Sequence, residues 1–403
     1  MRSTLLQLTL AVAAVCGFAG GDWLQFRGND GTGASPETNL PLTFDAKTNV
    51  AWKVPLPGRG PSSPIVVGGR VVVTASSGPK GDRLHVLCFD AESGKLRWHR
   101  QLWATGHTAC HPFGAVATCT PASDGRRIFA FYSSNDLACF DLDGNLKWFR
   151  GLAYEHREAR NDAGMGSSPV VSGDTVIVQV ENQGESFAAG IDTATGETRW
   201  RIEREPDGIW SSPSLLRGKT PSEDVVVMQS RSRLTGHNAQ TGKFLWDYEA
   251  SCHTIASATT CGDRVYLPSY GLHALQYDAA KQTVELLWYE PRLSSGNSSP
   301  VVHEGRTYTI KPPAILVCGD VRDGSVLWQL RLQGAQWATP VLAGGHLYVV
   351  NHQGLVQIVE LGEEGKLVGS VQIDPAILAS PAVADGAIYF RGDQHLLKVA
   401  FDH

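Results

Sequence analysis

The residues best equipped for chemistry gather in His107-Thr108-Ala109-Cys110-His111-Pro112, inside a connection that runs from Trp103 to Cys119. Imidazole and thiolate are zinc ligands, so His107, Cys110 and His111, with Cys119 beyond, are candidates for a metal site. Their spacing matches no standard zinc pattern. Haem attachment needs Cys-x-x-Cys-His, and here His107 stands where the first cysteine belongs. Two other readings stay open: a local disulfide between Cys110 and Cys119, matched by a second between Cys252 and Cys261, or plain loop packing. A second group, Arg157, Arg160 and Asp162, lies in the mixed-charge stretch from Tyr154 to Asp162. With Trp210, His253 and Trp337, each just before a strand start, these residues are candidates for a binding face. The sequence holds no Ser-His-Asp spacing, phosphate loop or His-Glu-x-x-His motif.

The elements that must position these groups are repeats. Phe89-Asp90-Ala91-Glu92-Ser93-Gly94-Lys95-Leu96-Arg97-Trp98 returns as Ile191-Asp192-Thr193-Ala194-Thr195-Gly196-Glu197-Thr198-Arg199-Trp200. Further copies end at Trp148, Trp246 and Trp328, and a looser one runs from Tyr277-Asp278 to Trp288. In each, a strand ends at Asp or Asn, whose side chain can bond the following turn. Gly then supplies the positive φ of that turn, and the chain returns as a strand carrying Trp. One hairpin cannot bury such a ring alone, so neighbouring repeats must stack. The Asp, Gly and Trp are therefore read as structural.

Ahead of each repeat stands an inner-strand start: Ser63-Pro64, Thr120-Pro121, Ser168-Pro169, Ser212-Pro213, Ser299-Pro300, Thr339-Pro340 and Ser380-Pro381, with Ala258 in the place of the proline in the fifth. Proline suits a strand start, where a missing N–H is harmless. The starts recur at roughly 40–50-residue intervals, the mark of a propeller or array, and the first interval is the longest. Four β-rich segments per repeat, without helical periodicity, predict antiparallel four-stranded blades. The eighth repeat has room for only three strands, and the orphan Asn49-Val50-Ala51-Trp52-Lys53-Val54 can supply the fourth. The expected fold is thus all-β, an eight-bladed propeller over residues 49–403 closed by its N-terminal strand, which leaves no free edge. Residues 21–48 are expected to form an irregular arm across the body, pinned by Trp23 and Phe26. Glycine replaces tryptophan at Gly369, in the seventh repeat.

Residues 1–20 read differently. Arg2, the apolar run from Leu5 to Val15 and the small residues around Gly17 form a secretory signal pattern, too short for a convincing membrane span. Cys16 raises lipid anchoring, but Val15 fits a lipoprotein processing site poorly, so export to the periplasm or exterior is expected. Seven cysteines then remain, an odd number, so at least one lacks an intramolecular partner. Cys88, Cys139 and Cys318 share one repeat register, with Gly190, Gly236 and Gln276 at the same place in other repeats. They are expected to be free packing thiols. A net charge of −5 without a basic run argues against a nucleic-acid partner.

The Asp-x-x-Thr/Ser-Gly-x-x-x-Trp pattern with its Ser-Pro start resembles the quinoprotein-like propellers, which include pyrroloquinoline quinone (PQQ) dehydrogenases and non-enzymatic BamB-type assembly factors. With Asp22-Trp23-Leu24-Gln25-Phe26-Arg27-Gly28 in front, the chain looks most like the PQQ-like repeat proteins of planctomycetes. The resemblance implies the fold and leaves function open. In the dehydrogenases PQQ stacks under a disulfide between adjacent cysteines and binds calcium through Glu, Asn and Asp. This chain has no Cys-Cys pair, and its short repeats leave little loop for such a pocket. The expectation is a monomeric, non-catalytic binding or scaffold propeller of the cell envelope, with an extracytoplasmic protein or ligand as partner and no cofactor. A PQQ- or metal-dependent oxidoreductase is the alternative. The Trp103–Cys119 connection is expected to fold over the channel mouth beside His156-Arg157 and to contribute to the binding face.

Overall fold

Eight four-stranded antiparallel sheets stand around one axis. The computed structural model describes residues 21–45, 48–160, 163–373 and 377–401. Blade 1 is Ile65–Val67, Arg70–Ser77, Arg83–Asp90 and Leu96–Trp103, from the axis outwards. Blades 2 to 7 repeat that order in sequence. Blade 8 takes Ala382–Ala384, Ala387–Arg391 and His395–Val399 from the C-terminal end and Val50–Pro55 from the N-terminal end. Trp52 pairs with Lys398 and Val54 with Leu396, so the first strand closes the ring as its sequence predicts.

The seams explain the repeated motif. Trp98 on the outer strand of blade 1 donates its indole N–H to the Leu142 carbonyl in the Asp turn of blade 2. Trp148, Trp200, Trp288 and Trp328 do the same to Thr193, Ala239, Val321 and Gly362 of the following blades. Trp52 reaches Ala91 and joins blade 8 to blade 1. Under each ring lies the turn glycine of the next blade. Gly144 has φ +80°, and a Cβ there would sit 2.5 Å from Trp98 Cδ2. Two requirements converge on one position, a left-handed backbone and no side chain. Gly144→Ala should therefore lower stability by roughly 1–3 kcal/mol, from overpacking and backbone strain. A denaturant midpoint unchanged from that of the parent would show that the seam tolerates a methyl group.

Two seams depart from the rule. In blade 5 the turn after Asp278 has no glycine, and Trp246 of blade 4 instead packs on the Tyr277 ring at 6.2 Å, its indole N–H without a partner among the described residues. The third strand of blade 5 is also differently registered. Cys88, Cys139, Cys318, Gly190 and Gly236 each face the Trp of their own blade, but in blade 5 that place belongs to Ala274, not Gln276. Gln276 pairs with Glu285, because the hairpin after it is longer. Small residues are required opposite the ring: a Cβ on Gly190 or Gly236 would collide with the indole of Trp200 or Trp246.

At the seam between blades 7 and 8, where Gly369 replaces tryptophan, the N-terminal arm fills the gap. The Leu42 carbonyl lies over Gly369, Phe44 stacks on Phe390 at 5.8 Å, and Leu40 and Phe44 are buried in the core shared by blades 7, 8 and 1. Trp23, also buried, joins that core, and its backbone pairs with Val66 in the first inner strand.

All seven described cysteines are free. Cys119 points into the core with Phe129 and Phe131, and Cys252 into the core with Leu234 and Leu267, so neither of the two local disulfides considered from sequence forms. Cys88, Cys139 and Cys318 are buried, as packing residues opposite tryptophan should be.

Candidate functional site

The inner strands converge on the axis, and the residue before each strand-start proline forms a belt there. The peptide N–H of Ser63 donates to the Thr120 hydroxyl, Thr120 to Ser168, Ser168 to Ser212, and Ser212 to Ser257. Ser257 donates to Ser299, Ser299 to Thr339, Thr339 to Ser380, and Ser380 back to Ser63. The eight bonds, 2.8–3.0 Å long, make a closed ring linking every blade to the next. A peptide N–H on the inner edge has no further strand to pair with, and the neighbouring hydroxyl satisfies it. Each hydroxyl oxygen thus accepts one bond. Among the described residues none of the eight hydroxyls donates to a protein acceptor.

The belt encircles a chamber of about 380 Å³. Two residues earlier in each blade comes a second, variable tier that includes Trp210, Ile255, Asn297, Trp337 and Leu378. The arm closes the opposite end. Phe26 lines the chamber, and behind it the buried Arg27 guanidinium donates to the Thr259 hydroxyl at 2.6 Å and to the Ala258 carbonyl at 3.0 Å. Burial lowers the Arg27 pKa to about 9.

The long connection after blade 1 crosses the other mouth. The His111 N–H donates to the Ala163 carbonyl on the way into blade 3, while Phe113 reaches Trp337 at 6.2 Å and His352 at 5.0 Å on the blade 7 side. Its described contacts toward blade 3 include Ala163 and Gly164. His156 packs on Phe187 at 4.0 Å and bonds Glu185 at 2.6 Å.

The sequence candidates therefore separate. His111, Trp210 and Trp337 line the chamber, with Trp210 anchored by its indole N–H on the Gly164 carbonyl at 2.7 Å. Arg157 and Arg160 are exposed and absent from the lining, and Asp162 lies outside the described residues. His253 serves the chain itself: its Nδ1 accepts the N–H groups of Ile255 and Ala256, and burial lowers its pKa. Among the described residues no group of three or more His, Cys, Asp or Glu is placed to hold a metal, so His107, Cys110 and His111 do not form a ligand set. Burial raises the Cys110 pKa and pushes Cys119 up to about 12, so both are protonated thiols at neutral pH.

The hydroxyl belt is open to sequence reading, although the proline of each start draws attention first. Position 257 carries the signal: the fifth repeat gives up proline for Ala258 yet keeps Ser257 before it. The hydroxyl is the constant feature of all eight starts, and the ring requires it.

The chamber can be tested for a quinone cofactor by its chemistry. PQQ carries carboxylates and is held with calcium, so it needs cations against the acid groups and carboxylates on the metal. Among the described residues the lining contains no Asp, Glu, Lys or Arg. These residues do not fit PQQ with calcium.

Comparison with known proteins bears on the same question. The family described as outer membrane protein assembly factor BamB matches residues 38–201, 158–329 and 315–402. The outer membrane protein assembly factor BamB of Burkholderia pseudomallei (strain K96243) is 23% identical over 391 residues, covering 88% of this chain and 90% of its own. The crystal structure of BamB from Moraxella catarrhalis superposes with a TM-score of 0.65 at 17% identity, over 89% of this chain and 99% of that one. The quinohemoprotein alcohol dehydrogenase from Comamonas testosteroni gives 0.69 at 12% identity, over 95% and 81%. At such identities both structures share the fold, and fold alone does not separate a dehydrogenase from an assembly factor. The match of repeats over nearly the whole chain does place it: the chain belongs to the outer membrane protein assembly factor BamB family of PQQ-like repeat propellers.

Proposed function

We propose that this chain is an exported, non-catalytic binding and scaffold propeller of the bacterial cell envelope, acting as a monomer on an extracytoplasmic protein. The observation that carries this reading is the family match, which spans residues 38–402. The chamber supports it, because its described lining offers no pair of titratable groups to act as acid and base. Export rests on the signal pattern of residues 1–20, which lie outside the described residues, as does Cys16. Among the described residues no helix is long and apolar enough to cross a membrane.

The partner-binding face is assigned to the mouth that carries the blade connections. Tyr154, Arg157 and Arg160 are exposed there without serving the core, and exposed loop residues on a rigid scaffold are where binding is commonly carried. The test uses the chain from residue 21 onwards as bait in an extract of its own cell envelope. Tyr154→Ala with Arg157→Ala and Arg160→Ala should abolish capture of the partner while leaving the melting temperature unchanged. Equal capture by the variant would overturn the assignment of the face. Dye-linked alcohol oxidation appearing on addition of PQQ and calcium would overturn the non-catalytic reading and establish the oxidoreductase.

A further inference from the structure

The belt and the tier above it have a property that ring closure does not require. Each belt oxygen accepts a peptide N–H with one of its two lone pairs, and among the described residues its hydrogen meets no protein acceptor, so every belt hydroxyl still has an O–H to donate. Eight O–H donors therefore surround a chamber walled mainly by apolar side chains such as Trp210, Trp337 and Ile255, with His111, Thr118 and Asn297 as its further polar groups. An ionised ligand would lose its hydration there without meeting a counter-charge on the wall. A polyol would give up its full hydration for a wall that is mostly apolar outside the belt. A volume of about 380 Å³ falls within the ordinary range for small-molecule sites, roughly 300–1,000 Å³.

We propose that the chamber binds one small uncharged molecule with an apolar body and carbonyl- or ether-type oxygens that accept from the hydroxyl belt. The aromatic tier packs the body, the belt reads the oxygens, and the connection bearing His111 and Phe113 covers the mouth. The inference is independent of the envelope partner, since a chain that captures no protein can still fill its chamber.

Three compounds built on one heavy-atom framework test it by calorimetry on the full chain lacking residues 1–20. 1,4-Diacetylbenzene is neutral with two carbonyl acceptors. 1,4-Diisopropylbenzene has the same shape without acceptors, and terephthalate has the acceptors with charge. The diketone should bind one to one, and the hydrocarbon at least about tenfold more weakly, for want of one or two hydrogen bonds. Terephthalate should give no measurable binding. Ile255→Trp and, on a separate blade, Leu378→Trp fill the chamber without touching the belt, and either one that melts like the parent should abolish binding of the diketone. Hydrocarbon binding as tight as that of the diketone would overturn the role of the belt. Tighter binding of terephthalate would overturn the preference for an uncharged ligand and make the chamber an anion site facing Arg27. Failure of the diketone to bind, or binding that survives both folded variants, would overturn the site itself.

Discussion

Trp52→Ala is expected to lower the unfolding free energy by about 3–5 kcal/mol, the range for removing a buried aromatic side chain from a packed core. Trp52 is 8% exposed, lies 5.9 Å from the Tyr389 ring, and bonds the Ala91 carbonyl of blade 1 at 3.2 Å. It belongs to the blade built from both ends of the chain. Loss of this ring therefore leaves a cavity at the seam where closure depends on strands far apart in sequence. Trp148→Ala should cost less, since Trp148 is only partly buried and joins blades that are consecutive in the chain. The two substitutions can be compared by chemical denaturation. Equal losses would mean that the closing seam is an ordinary seam, and a Trp52→Ala protein as stable as the parent would remove the closure argument.

That closure is legible in the sequence because it rests on counting. Eight starts, seven complete repeats and one orphan Trp strand admit a single ring, and the eighth sheet has that composition. The turn chemistry is legible for the same reason: Asp90 accepts from the Ser93 N–H, and Asp192 from Thr195, within segments of a few residues. What the sequence hides are contacts between distant segments. Nothing near Gly369 says that Leu42 and Phe44 replace the missing indole, and nothing near Phe113 says that it meets Trp337 and His352. Arg27 reads as part of a loose arm, yet it crosses to Thr259 and Ala258. A count back from Asp278 misplaces Gln276 because it assumes equal hairpins, and the blade 5 hairpin is longer. For the site, the tryptophans at 210 and 337 are found by their place before strand starts, whereas His253, picked on the same ground, holds its own loop.

That loop belongs to a buried network from which the second large effect is expected. Arg204 donates to Glu181 Oε1 at 2.5 Å, to the Thr235 hydroxyl at 2.7 Å and to the Ser230 hydroxyl at 2.8 Å. Gln179 donates to the same carboxylate oxygen and to the Gln229 carbonyl. The Gln229 side chain in turn donates to the His253 and Ala256 carbonyls and accepts the Ala258 N–H, which fixes the segment carrying Ile255 and Ser257 into the chamber wall. The Arg204 and Glu181 side chains are 5% and 0% exposed. Arg204→Met should therefore destabilise by about 3–5 kcal/mol at neutral pH, because it strands a buried carboxylate. Glu181→Gln in addition should recover most of that loss, since an amide needs no counter-charge. Burial already raises the Glu181 pKa, and removing Arg204 raises it further. A carboxyl group raised in the folded state contributes stability below its unfolded pKa and loses it as pH rises through the folded value. The deficit of Arg204→Met should thus shrink as pH falls from about 8 to about 5, while the double variant shows no such slope. Denaturant melts of the parent, single and double variants across that range decide the matter. A single variant whose deficit is the same at every pH, or a double variant no more stable than the single, would show that Glu181 is not a charge held in place by Arg204.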